Sequence, residues 1–118
     1  MTLILSTIEG ENYAITLDEA AAVLRMSGTL RLNGLEEYAP IAEQLSRLLA
    51  LGASPTLDLS HLGFLNSSGI AVISKFVIEA RTKQVEGLTL IGSESIPWQT
   101  KSLRNLQRLM PSLVLEWQ

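Results

Sequence analysis

Apolar and polar positions alternate in short bursts along the first third of the chain. Leu3–Glu9 and Tyr13–Leu17 are rich in β-branched and aliphatic residues, and Glu9-Gly10-Glu11-Asn12 between them supplies turn formers. Ala22, Leu24 and Met26 then alternate with Ala21, Val23, Arg25 and Ser27, and Gly28 closes the run. Three strands in a meander are predicted. From Leu35 the period changes. Leu35, Tyr38, Ile41/Ala42, Leu45 and Leu48/Leu49 recur at helical spacing, with Glu37, Glu43, Gln44 and Arg47 at the other positions. Pro40 fits the first helical turn, where a missing N–H costs little, and Gly52 fits the stop.

Thr56–Ser60 after Pro55 is the next predicted strand, and His61–Asn66 is read as a loop. A helical run covers about Ser68 to Lys83. Leu88–Ile91 is a strand between Gly87 and Gly92. Ser95 and Pro97 open a last helix carrying Trp98, Leu103, Leu106 and Leu109/Met110, which Pro111 stops, and Leu113-Val114-Leu115 adds one more strand. Strands alternating with helical crossovers imply parallel pairing and right-handed connections. The expected fold class is α/β: a mixed β-sheet with N-terminal meander strands and about three helices mainly on one face.

Composition narrows the chemistry. A chain of 118 residues is expected to form one domain, 1–118, and its 47% apolar content supplies a core. Zero Cys excludes thiolate metal sites and a cysteine nucleophile, and one His excludes a multi-histidine metal site. The net charge of −3 and a pI near 5.1 argue against nucleic acid as a partner. Met1-Thr2-Leu3-Ile4-Leu5-Ser6 lacks the basic start of a signal peptide, and apolar runs such as Leu48–Leu51 fall far short of the roughly 18 residues of a membrane span. A soluble cytoplasmic protein with no cofactor, no metal and no membrane association is expected.

One stretch stands out: Asp58-Leu59-Ser60-His61-Leu62-Gly63-Phe64-Leu65-Asn66-Ser67-Ser68-Gly69-Ile70. It reads as a strand, a short loop and two hydroxyls at the start of a helix, where free N–H groups and the helix dipole favour negative charge. Phosphorylating a serine there adds nearly two negative charges without melting the helix. On spacing alone the better fit is Ser67 or Ser68 as a mere N-cap, worth about 1 kcal/mol, because Ser is a preferred residue there. At about 100° per residue, Ile70, Ile73, Val77 and Ala80 face the sheet. Ser67, Ala71 and Ile78 then project elsewhere, with Lys75 and Ser68 near them. An apolar patch beside a modifiable hydroxyl suits a partner interface that phosphate disrupts, unless another helix covers Ile78.

The stretch from Thr56 to Gly92 resembles the STAS domain of bacterial anti-sigma factor antagonists. The residues that carry the resemblance are Leu57-Asp58-Leu59-Ser60, Phe64-Leu65-Asn66-Ser67-Ser68-Gly69-Ile70 and Glu86-Gly87-Leu88-Thr89-Leu90-Ile91-Gly92, with Gly28-Thr29-Leu30 where the family often has Gly-Glu-Leu. The resemblance implies a non-enzymatic regulator in partner switching. A serine kinase of the histidine-kinase-like ATPase type, acting as anti-sigma factor, would bind and phosphorylate it, and a PP2C-type phosphatase would reverse this. Ser68 matches the usual phosphoacceptor. A related branch with Asn-Thr-Ser-Ser at this turn uses the first hydroxyl, here Ser67, and can activate a diguanylate cyclase. The implied partner surface comprises Asn66, Ser67, Ser68, Gly69, Ala71, Lys75 and Ile78. The chain departs from many antagonists in having Asn66 for Asp, and Arg31 near the position where they carry Asp after Gly-x-Leu.

Other chemistry is thinly supplied. His61 and Ser68 are a conceivable pair, yet no Gly-x-Ser-x-Gly elbow accompanies them. Gly63 and Gly69 bracket the turn without the Gly-Lys-Ser/Thr of a P-loop, and Asp58 alone makes no acid/base dyad. Lys101, Arg104 and Arg108 form either a basic stripe for an acidic partner or a solvated face. Trp98 and Trp117 fit core or edge anchors. Two alternatives therefore stand beside the partner-switching reading: an activator that docks on a signalling enzyme such as a diguanylate cyclase when unphosphorylated, and a ligand-binding STAS module.

Overall fold

Right-handed crossovers between neighbouring parallel strands place every connecting helix on the same side when the chain advances in one direction. The computed structural model, which describes residues 5–52 and 54–118, has that architecture. Strands β1 (Leu5–Glu9), β2 (Tyr13–Asp18) and β3 (Val23–Leu30) pair antiparallel. Strands β4 (Thr56–Leu65), β5 (Thr89–Gly92) and β6 (Val114–Trp117) then add in parallel, giving one six-stranded sheet in chain order. Helices α1 (Gly34–Leu49), α2 (Ser67–Thr82) and α3 (Pro97–Leu109) make the three crossovers. The mixed sheet, the N-terminal meander and the single helical layer are as the periodicity predicts; Leu3 and Ile4 lie outside the described residues.

The core lies between sheet and helices. Ile15, Leu17, Leu24, Met26, Leu57, Leu59 and Leu90 from the strands meet Tyr38, Ile41 and Leu45 of α1, Ile73, Val77 and Ala80 of α2, and Leu103 and Leu106 of α3. Ile70, expected with that face, is half-buried. Val72 and Phe76 are buried as well, so α2 is covered on more sides than the sheet alone would cover it. The other face of the sheet stays open. Along it Thr7, Thr16, Arg25, Asp58, Ile91 and Glu116 align in one register row, with Arg25 Nε 3.7 Å from an Asp58 oxygen.

Three predicted boundaries move, two of them because of pairing with distant residues. Gly28 does not end β3. Its φ of +89° brings the backbone against Asn12, whose carbonyl accepts the Thr29 N–H at 2.8 Å, and the strand runs on to Leu30. His61–Asn66 is not a loop, because β4 continues to Leu65 by pairing with β3 from Ser27↔His61 to Leu30↔Leu65 across two register shifts. Pro40 sits inside α1 rather than in its first turn, since the helix already starts at Gly34.

Beyond Asp58↔Ile91, β4 has no further pairs with β5. Gln99 of α3, fully buried, takes over there. Its Nε2 donates to the carbonyls of Leu59 (2.6 Å) and Leu62 (3.0 Å), and its Oε1 accepts the Ser93 N–H (2.7 Å). Trp98 Nε1 adds a second donor to the Leu62 carbonyl at 3.1 Å. These bonds hold the C-terminal half of β4, and with it the turn into α2.

Candidate functional site

One residue, Asn66, turns the chain from the end of β4 into α2. It is extended (φ −78°, ψ 175°), and its Oδ1 accepts the Gly69 N–H at 3.0 Å, which makes it the N-cap. The same oxygen accepts the Tyr38 hydroxyl at 2.6 Å, and Nδ2 donates to the Leu32 carbonyl at 2.8 Å. The cap is therefore tied to α1 and to the segment after β3. Burial raises the Tyr38 pKa above 10.0, so the phenol stays protonated and donates.

Because Asn66 caps the helix, neither Ser67 nor Ser68 does so. Among the described residues neither hydroxyl has a hydrogen-bond partner. Ser67 is exposed and Ser68 half-buried, on the first two positions of α2. Both lie where orphan N–H groups and the positive dipole end favour an anion. Ala71, Lys75 and Ile78 continue from Ser67 as one exposed stripe, spaced by four, four and three residues. Ile78 is 45% exposed, so no helix among the described residues covers it.

Two of the expected contact residues sit elsewhere. Gly69 is buried, and a Cβ there would meet the Leu65 side chain and, at 2.7 Å, the Tyr38 hydroxyl. Its role is to let α2 approach β4 and α1, since it has no surface to offer. Asn66 is half-buried with its side chain already bonded. Ser67, Ser68, Ala71, Lys75 and Ile78 are the accessible set.

The structure adds neighbours that sequence reasoning missed. Phe64 is 38% exposed, and the Arg31 guanidinium lies 4.5 Å from its ring centroid. With Thr29↔Phe64 and Leu30↔Leu65 in register, this pair sits beside the Asn66 turn. Reading His61–Asn66 as a loop concealed it. An apolar groove of about 290 Å³ also opens between α1 and α2, lined by Leu35, Ala39, Val72 and Phe76 with Lys75 at its rim.

Among the described residues, serine, histidine and aspartate do not assemble into a triad. The Ser60 hydroxyl donates to Asp58 Oδ1 at 2.6 Å and contacts His61 Nδ1 at 3.2 Å, which places serine between acid and imidazole. A triad needs the imidazole in the middle, and the hydroxyl proton here already points to the carboxylate. His61 bonds Ser60, and no bond joins it to Ser68. Among the described residues no group of His, Asp or Glu has the geometry of a metal site, and no helix is long and apolar enough to cross a membrane. Lys101, Arg104 and Arg108 are all exposed on α3.

No family model and no curated protein matches the chain. Solved structures do. SiaC of Pseudomonas aeruginosa superposes with a TM-score of 0.72 over 98% of each chain at 21% identity. The crystal structure of the diguanylate cyclase SiaD in complex with its activator SiaC, from the same organism, matches at 0.72 and 20% identity over 96% of this chain and 99% of that one. Apo-SiaC matches at 0.71 and 20% identity over 100% and 99%. The chain has the fold of these neighbours, from first strand to last.

Proposed function

We propose that this chain is a non-catalytic, STAS-like regulator that docks through the α2 stripe on a signalling enzyme and activates it. The enzyme class best supported is a diguanylate cyclase. Phosphorylation at Ser67 or Ser68 would break the contact. The carrying observation is that Asn66 alone caps α2, which leaves two uncommitted hydroxyls at a helix start that tolerates a phosphate dianion. Ala71, Lys75, Ile78 and the rim of the α1–α2 groove supply the mixed apolar and cationic surface around them. The likeness to a protein named as the activator of a cyclase supports this reading over the anti-sigma version of partner switching.

In this mechanism the unmodified serines sit at the interface and are desolvated on docking. A phosphate in their place has to be stripped of water against an apolar surface, and each ~1.4 kcal/mol of that penalty lowers affinity tenfold. The modifying enzymes would be a kinase of the histidine-kinase-like ATPase type and a PP2C-type phosphatase, in the cytoplasm.

The test is affinity isolation from native cells with Ser67→Ala/Ser68→Ala and Ser67→Asp/Ser68→Asp chains, followed by assay of cyclic di-GMP synthesis in the eluates. Synthesis enriched with the alanine chain and lost with the aspartate chain is the expected result. Equal synthesis, or none with either, defeats the reading. Fragmentation of the tryptic peptide Leu48–Lys75, which holds both serines, assigns the modified one.

A further inference from the structure

The last strand of the sheet has an outer edge that no strand meets among the described residues, and a cationic groove runs beside it. Among the described residues strand β6 pairs only with β5. Val114 N and Gln118 N donate inward, to the carbonyls of Leu88 (3.0 Å) and Gly92 (2.8 Å). Successive backbone groups of a strand point to opposite sides, so Leu115 and Trp117 direct their N–H and C=O groups outward. The same two residues send their side chains into an open groove of about 640 Å³, which Arg104, Gln107, Arg108 and Pro111 complete.

The groove is positive in a chain whose net charge is −3. Lys101, Arg104 and Arg108 recur along the exposed side of α3, and no described carboxylate lies within 4.0 Å of any of them. Glu116 projects from the opposite face of β6 by strand alternation. Gln107 is engaged with the Leu113 carbonyl at 2.9 Å, which leaves the arginines as the free polar groups.

We propose that this groove takes an extended acidic segment of a partner protein, added along β6 as a seventh strand. Main-chain bonds to Leu115 and Trp117 would hold the segment, and every second side chain would face the groove, its carboxylates meeting Arg104 and Arg108. A second copy of this chain pairing edge to edge would bring two arginine pairs together, so like-charge repulsion opposes it. Nucleic acid is a poorer match because three cations release few counterions and the rest of the chain is acidic. The surface lies on α3 and β6, apart from the α2 stripe, so the two sites can be occupied independently.

The experiment is a titration of the ¹⁵N-labelled chain with an acetylated, amidated Glu-Val-Glu-Val-Glu-Val peptide, and with the same peptide carrying Gln for Glu. Saturable shifts and slowed exchange at the Leu115 and Trp117 amides are expected. The Gln peptide should bind about tenfold more weakly. Arg104→Glu/Arg108→Glu, two exposed changes, should lose the acidic peptide and gain a Lys-Val-Lys-Val-Lys-Val one. That exchange separates recognition from a merely structural role. The proposal fails if no shifts saturate by about 1 mM, if they map to α2, or if charge makes no difference. It also fails if sedimentation shows the edge filled by a second copy, or if a single-stranded oligothymidylate binds the groove more tightly than the peptide does.

Discussion

Tyr38 of α1 donates its hydroxyl to Asn66 Oδ1 at 2.6 Å, the same oxygen that caps α2. The start of the helix carrying both serines is thus positioned from a neighbouring helix 28 residues earlier in the chain. The serine turn is thus tied to α1 and to the segment after β3. A phosphate placed there, as proposed, would change the charge of that surface, and the proposed contact could then be lost without rearrangement of the fold.

Tyr38→Phe removes one neutral hydrogen bond and should cost about 1 kcal/mol in urea unfolding at neutral pH. The pH dependence gives a sharper signature. Burial raises the folded-state pKa of Tyr38 above 10.0, so above pH 10 the folded chain holds a proton that the unfolded chain has lost. The stability this provides is fully present below pH 10 and falls as pH rises through the folded value. Titration of unfolding free energy from pH 8 to 11 should show that decline in the parent and a shallower one in Tyr38→Phe.

Asn66→Asp should destabilise this chain. The carboxylate keeps the bonds from Gly69 and Tyr38 but cannot donate to the Leu32 carbonyl, 2.8 Å away, and repels it. Against this stands a favourable dipole contribution of about 0.3–1 kcal/mol. A net loss of about 1 kcal/mol is expected from denaturant midpoints, less than for Asn66→Ala, which loses all three bonds. An Asp variant more stable than the parent would mean that the Leu32 contact contributes nothing.

Ser67→Asp and Ser68→Asp should separate stability from binding. An acidic residue in the first turn of α2 interacts well with the dipole, so the melting temperature should hold or rise by the equivalent of about 0.3–1 kcal/mol. Binding to the proposed enzyme partner should fall at least tenfold in the same variants. Calorimetry on the free chain and on the mixture reads both quantities, and parallel loss of both would point to simple unfolding.

Gln99→Leu should be among the most damaging single changes. It keeps the volume approximately and removes three hydrogen bonds from a fully buried site, leaving the Ser93 N–H and the Leu59 carbonyl without their side-chain partner. A cost of about 3–5 kcal/mol is expected. Hydrogen exchange should show the opening concentrated in the second half of β4, where Gln99 bonds, rather than in the β1–β3 meander.

Features that depend on local period were legible in the residues alone. Alternation marks the meander, spacings of three and four mark the helices, and the sequential β–α order dictates a parallel half with its helices on one face. Local period also placed the serines at a helix start and Ser67, Ala71, Lys75 and Ile78 on one side, because the rotation per residue is fixed. Whether that side stays open, as Ile78 does, depended on how distant segments pack. That packing also decided which of Asn66, Ser67 and Ser68 caps α2, a choice made by Tyr38 and Leu32 approaching from elsewhere in the chain. The length of β4 and the pairing of Phe64 with Arg31 were illegible for the same reason. His61 and Gly63 carry turn signals, and ladder pairing with β3, more than 30 residues away, outweighs them. Gln44 and Gln99 look like surface residues in sequence, yet both are buried: the Gln44 amide nitrogen meets the Ser6 carbonyl and hydroxyl, while its oxygen has no partner among the described residues, and both ends of the Gln99 amide meet backbone groups that the fold alone brings to them.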